Sequence, residues 1–141
     1  MKSFPTSIEV VAAALLDGNG RVLMQRRPAG KAHGGLWEFP GGKVERGESR
    51  ETALIRELHE ELGIAVEHAA LAPFASANGA GADDAASVGL VMDLYTVRSW
   101  QGEPRNLDAE AIGWFDANEL MRLEMPPLDI PLAKRIAQLL K

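Results

Sequence analysis

Gly42-Lys43-Val44-Glu45-Arg46-Gly47-Glu48-Ser49-Arg50-Glu51-Thr52-Ala53-Leu54-Ile55-Arg56-Glu57-Leu58-His59-Glu60-Glu61-Leu62-Gly63-Ile64 joins a glycine-rich turn to a segment with the signals of a helix. Ser49 can cap a helix running to about Leu62, Leu54, Ile55, Leu58 and Leu62 share an apolar face, and Gly63 is placed to end it. On that helix Glu57, Glu60 and Glu61 stand at i, i+3 and i+4 and project from one side. Like charges at those spacings cost an isolated helix a few tenths, roughly 0.2–0.5 kcal/mol per pair, and a divalent cation reverses the sign. Mg²⁺ takes oxygen ligands and usually bridges carboxylates to substrate phosphates. A Glu-rich helix can equally be a solvated acidic face, but Pro40-Gly41-Gly42, where the backbone can approach a ligand, favours the metal. A bond from Arg56 to Glu48 would hold the turn against the helix and orient the ligands; the alternative is a surface ion pair.

The remaining sequence sets bounds on this reading. With 141 residues, 46% hydrophobic and 25% charged, one domain spanning 1–141 and burying one core is expected. The formal net charge of -5 argues against a nucleic-acid polymer as partner, since such binding needs a basic face. An anionic substrate would therefore arrive with metal. The absence of cysteine removes thiol nucleophiles, disulfides and Cys-based zinc sites. No apolar signal core and no bilayer-spanning run are visible, so a cytoplasmic chain that uses no membrane is expected.

Outward from the turn and helix, Ile8 to Leu16 and Arg21 to Arg27, joined by Asp17-Gly18-Asn19-Gly20, read as a β-hairpin. Leu36 to Phe39 reads as a short strand. Further strands are expected around Ile64 to Phe74, Ser87 to Val97 and Ala111 to Phe115, with the small, weakly patterned Ala75 to Ala86 as a mobile loop. Asp116-Ala117-Asn118-Glu119 has capping-box spacing, and Ile130 to Leu140 reads as a C-terminal helix. Strands interleaved with helices make an α+β fold with a mixed sheet between helices.

Other phosphate and hydrolytic motifs fail. Gly30 to Gly35 is followed by Leu36 where a P-loop needs lysine, Gly79 to Asp84 lacks the third glycine of a dinucleotide fingerprint, and His59-Glu60-Glu61-Leu62-Gly63 lacks the second histidine of a zincin. There is no Gly-x-Ser-x-Gly elbow.

The stretch from Gly42 to Ile64 resembles the Nudix box at every fixed position, a match expected by chance with probability on the order of 10⁻⁸ at average residue usage. Leu36-Trp37-Glu38-Phe39-Pro40-Gly41-Gly42-Lys43-Val44-Glu45 is similar to the MutT branch of the Nudix hydrolases. The resemblance extends as a pattern of elements from about Ile8 to Leu140 and implies an α/β/α sandwich. It implies attack of water on a phosphorus of a nucleoside diphosphate linked to another group, with Mg²⁺ or Mn²⁺ polarising water and phosphate. The implied activity is that of a nucleoside triphosphate pyrophosphohydrolase acting on (d)NTPs or oxidised dNTPs such as 8-oxo-dGTP. Alternatives are CTP or 5-methyl-dCTP, another nucleoside diphosphate derivative, or a non-catalytic nucleotide-sensing module. The partner implied is a nucleotide, and the chain would be a monomer or a homodimer.

By the same resemblance Glu57, Glu60, Glu61 and the Gly41 carbonyl would be metal ligands, Glu57 or Glu60 would assist the attacking water, and Glu48 with Arg56 would brace them. Lys43 would steady phosphate, and of Arg26 and Arg27, which strand alternation sends to opposite sides, one would touch it. A further carboxylate six residues before Trp114 is Asp108, with Glu110 its competitor. Asp129 stands at the base-reading position and is compatible with cytosine or with a guanine edge; a helix N-cap is its other reading. Val88 stands where MutT would offer an arginine. Of Phe39 and Trp37, which alternate on their strand, one would stack on a base while the other packs in the core.

Overall fold

Val10 to Leu16 carries no polar residue, and such a run suits a strand buried on both faces. In the computed structural model, which describes residues 7–80 and 89–141, it forms most of the first strand. The elements are β1 (Ser7–Leu15), β2 (Val22–Arg26), β3 (Trp37–Glu38), β4 (Gly41–Lys43), α1 (Arg50–Leu62), β5 (Leu71–Ala80), β6 (Gly89–Val97), β7 (Ala111–Phe115), α2 (Ala117–Leu120) and α3 (Asp129–Leu140). β1 lies inside a four-stranded mixed sheet of order β4-β1-β6-β5, parallel to β6 and antiparallel to β4, while a second sheet runs β3-β2-β7.

Alternation along the strands divides the core between two helices. Ala12 and Ala14, with Met92 and Leu94, pack toward Leu132, Ala133 and Ile136 of α3. Val11, Ala13 and Leu15, with Tyr95 and Val97, pack toward Ala53, Leu54, Leu58 and Leu62 of α1. The result is the expected α+β sandwich with a mixed sheet between helices. α1 has the expected ends: the Ser49 side chain accepts from Thr52 N–H, and Gly63, at φ 70, donates its N–H to the His59 carbonyl. Asp116 and Glu119 form the capping box that opens α2.

Three expectations are corrected. β1 and β2 do not form a ladder; they meet only at the bridge between Leu16 and Val22, because both edges of β1 are taken by β4 and β6. Ile64 to Ala70 is not strand: Ala65 bridges Gln101, and a 3₁₀ turn, His68–Ala70, precedes β5. Ala75 to Ala80 is not a loop but the outer half of β5, paired with β6 after a register shift between Pro73 and Ala75. Backbone pairing needs no large side chain, so small residues hid this strand. The rest of the expected loop, 81–86, and Val88 lie outside the described residues.

Leu58, fully buried, and Ile55, half-buried, test the helix packing. Leu58→Ala is expected to cost about 2–5 kcal/mol in denaturant unfolding and Ile55→Ala distinctly less; equal losses would contradict the assigned face.

Candidate active site

Two glycines let α1 press its carboxylates against the backbone of β4. At Gly41 (φ 156) a Cβ would strike the Val11 carbonyl, and at Gly42 it would strike the Glu57 carboxyl group. At Gly41 the obstacle is backbone, and at Gly42 any side chain would push the Glu57 carboxyl group out of its place. The Gly41 N–H donates to Glu61 Oε1 at 3.0 Å, so the turn and the helix are joined at the carboxylates themselves.

Arg56 organises the charges. Its Nε and Nη2 donate to the two oxygens of Glu48 at 2.7 and 2.9 Å, a bidentate pair of the strong kind. Nη1 donates to Glu57 Oε1 at 2.8 Å and lies 3.5 Å from Glu60 Oε2, and Nη2 donates to the Lys43 carbonyl at 3.3 Å. Glu48 also accepts from the Glu45 N–H at 2.9 Å. The Arg56 bond, helped by that N–H, pulls the Glu48 carboxyl down to about 2. Glu60, at 57% exposure, is the least constrained carboxylate of the group.

Glu57 and Glu61 are shifted the other way. Burial raises Glu57 despite its bond to Arg56. Burial pushes Glu61 up to about 8, with the charges of Glu57 and Glu38 adding to it against the Gln25 and Gly41 donors. Asp129, 4% exposed, is likewise pushed up to about 7 by burial. It is not a helix cap: α3 has Leu128 at the cap position with no side-chain bond, and Asp129 Oδ2 accepts from the Phe39 N–H at 3.2 Å.

The other candidates divide. Asp108 is exposed, and its charge contributes to the upward shift of Glu57. Its loop is tied to the last turn of α1, where Leu107 N–H donates to the Glu61 carbonyl at 3.1 Å and Arg105 N–H to the Leu62 carbonyl at 2.9 Å. Glu110 instead lies 3.8 Å from Arg26. Arg26 is exposed and donates to the Gly35 carbonyl at 3.1 Å, whereas Arg27 pairs with Glu38 at 3.0 Å. Lys43 is exposed beside the turn. The ring of Phe39, 2% exposed, belongs to the core, so it presents no face for stacking and only its N–H reaches the site. Half-buried Trp37, two residues away and so on the same side, packs against the same cluster, edge-on to Phe115 at 5.1 Å, which corrects the expected division of the two rings. Gln25, buried and donating to both Glu38 and Glu61, was missed by sequence reasoning; standing between the apolar run Val22-Leu23-Met24 and the polar Arg26-Arg27, it gave no signal of burial.

Among the described residues no three acidic or histidine side chains stand close enough together to hold an ion as they lie. The donor chemistry nevertheless fits a divalent cation. The carboxylates at the turn offer only hard oxygens, which suit Mg²⁺ or Mn²⁺. Burial disfavours the anionic forms of Glu57 and Glu61, and a cation would restore them.

The model of the NUDIX domain matches residues 6–138: the chain belongs to the Nudix family. It is 36% identical over 127 residues to the CTP pyrophosphohydrolase of Escherichia coli K12, covering 89% of this chain and 87% of that protein. It is 40% identical over 121 residues to the putative 8-oxo-dGTP diphosphatase 2 of Mycobacterium tuberculosis H37Rv, covering 85% and 81%. The solution structure of the E. coli ORF135 protein matches with a TM-score of 0.81 at 34% identity, covering 96% of this chain and 91% of that one. No helix among the described residues is long and apolar enough to cross a membrane.

The raised carboxylates have a consequence for stability. Glu61 at about 8 against an ordinary 4.5, and Asp129 at about 7 against 3.8, keep protons in the folded state that the unfolded chain has lost. Their contribution is fully present below the ordinary values and is lost as pH rises toward the folded ones. Metal-free protein is therefore expected to lose thermal stability between about pH 5 and pH 8. Mn²⁺ should raise the Tm more at pH 8 than at pH 5. A flat metal-free profile in thermal unfolding would contradict these assignments.

Proposed function

We propose that this chain is a divalent-metal-dependent nucleoside triphosphate pyrophosphohydrolase of the MutT type, in which one domain carries the whole site. Water would attack a phosphorus of the nucleotide, its oxygen forming the new P–O bond while the anhydride bond breaks, giving a nucleoside monophosphate and pyrophosphate. The observation that carries this reading is the carboxylate pair Glu57 and Glu61, packed on Gly41 and Gly42 of β4 and braced by Arg56 and Glu48. The net charge and the nucleotide chemistry fit a cytoplasmic enzyme of the nucleotide pool.

Glu57, Glu61 and the Gly41 carbonyl would hold Mg²⁺ or Mn²⁺, with Glu60 and Asp108 completing the set. The bound ion supplies Lewis-acid polarisation of phosphate oxygens and of water. Arg56 keeps Glu57 against the turn, and Glu48 keeps Arg56 in its rotamer. Of Glu57 and Glu60, the two candidates to take the proton of the attacking water, Glu60 is the one not locked by a short bond. Lys43 on β4 and Arg26 at the end of β2, both exposed, would neutralise phosphate oxygens. Asp129 reads the base: Phe39 N–H occupies Oδ2, which leaves Oδ1 to accept from an exocyclic amine.

That last feature favours a second reading of the substrate. Above about pH 7, where Asp129 ionises, its carboxylate only accepts and the amine of cytosine donates, so CTP, dCTP and 5-methyl-dCTP stand beside 8-oxo-dGTP as substrates.

Pyrophosphate release from a panel of NTPs, dNTPs, 8-oxo-dGTP and 5-methyl-dCTP with Mg²⁺ tests the activity; no release from any of them would refute it. Glu60→Gln is expected to fold normally and lose about 10²-fold or more in turnover. Asp129→Asn, which adds a donor, is expected to lower kcat/KM for cytosine nucleotides relative to 8-oxo-dGTP, and an unchanged ratio would remove Asp129 from base reading.

A further inference from the structure

Gln25 lies within β2, opposite Glu38 on β3 and Ile112 on β7, with its side chain 4% exposed. Its Nε2 stands 3.4 Å from Glu38 Oε2 and 3.3 Å from Glu61 Oε2. Both distances are long for hydrogen bonds, as when one donor group is shared between two acceptors. Nε2 faces both carboxyl groups, so the amide presents its donor end to the two glutamates. The other end is left over: Oε1 is buried and has no hydrogen-bond partner among the described residues.

A buried acceptor without a donor lowers stability, and an apolar side chain of the same shape would avoid that loss. What the amide supplies is a pair of N–H donors between two carboxylates that otherwise repel each other. The two carboxylates belong to opposite ends of the site. Glu61 also accepts from Gly41 and neighbours Glu57, whereas Glu38 pairs with Arg27 at 3.0 Å, and both charges of that pair are felt at Asp129.

We propose that Gln25 is a positioning residue that holds Glu61 and Glu38 together and so ties the metal-holding end of the site to its base-reading end. This rests on the function proposed above. In this role Gln25 touches neither metal nor nucleotide; it acts through the two glutamates.

The test compares the wild type with Gln25→Met, which keeps the volume and removes the donors, and with Gln25→Asn, which keeps the amide but is too short to span both carboxylates. Mn²⁺ binding to the nucleotide-free protein is measured by calorimetry, thermal unfolding without metal, and kcat and KM for CTP and 8-oxo-dGTP. Gln25→Met is expected to unfold at the wild-type temperature or above, yet to bind Mn²⁺ about 10-fold or more weakly, as when a group that orients a metal ligand is lost. It should also raise KM for the preferred nucleotide more than for the other. Gln25→Asn should show the same loss of Mn²⁺ affinity. Unchanged Mn²⁺ affinity in both variants overturns the proposal, and so does a lower unfolding temperature with Mn²⁺ affinity intact. A wild type that binds Mn²⁺ but hydrolyses no nucleotide overturns the functional reading instead, while the Mn²⁺ comparison still decides the role of Gln25. A wild type that binds no Mn²⁺ overturns both.

Discussion

The close approach of α1 to the two glycines of β4 governs the rest of the molecule. Glu57 lies against the Cα of Gly42, and Glu61 accepts from the N–H of Gly41, so two carboxylates are drawn out of water onto a backbone that admits no side chain. Burial of that kind is unfavourable for anions. The surroundings offset it in part with Arg56 and in part with the Gln25 and Gly41 donors, and the remainder shows as the upward shifts of Glu57 and Glu61. A site that holds its carboxylates above their ordinary range has affinity in reserve for a cation.

The core is built to keep that contact. α1 is fixed by Leu54, Leu58 and Leu62 on the odd-numbered face of β1, while β4 is hydrogen-bonded to the edge of the same strand. One strand therefore positions both the helix and the glycine turn, and the ligand geometry is set by a rigid scaffold rather than by loops. Arg56 and Glu48 then lock the connection between turn and helix from the solvent side. The base end is held differently. Asp129 reaches across from α3 to the Phe39 N–H, so under the proposed function the two helices on opposite faces of the sheet would each contribute one end of the site.

What the sequence made legible was local. Ser49, Gly63, the i, i+3, i+4 spacing of the glutamates and the capping box at Asp116 are decided within a turn of chain, and all are found in the structure. What it hid was non-local. The hairpin signal at Asp17 to Gly20 was real as a turn but not as a ladder, because β4 and β6 occupy the edges of β1. The outer half of β5 has small side chains and draws its order from pairing with β6. Phe39 and Trp37 both turn to the same core cluster, and Asp108 is brought toward Glu57 by backbone bonds from its loop to α1. Gln25 became informative only when its two carboxylate neighbours, distant in sequence, were seen together.

Family membership identifies the chemistry at the phosphate end, and the residues of the turn and α1 supply a physical reason for it. The proposed base end rests on buried Asp129 and, beside it, the half-buried Glu38–Arg27 pair. The most direct test of the whole arrangement is anomalous diffraction from crystals soaked in Mn²⁺. The expected result is a manganese peak roughly 2.1 Å from carboxylate oxygens of Glu57 and Glu61 and from the Gly41 carbonyl. A crystal that takes up no manganese there, or takes it up only at acidic side chains away from the turn, would contradict it.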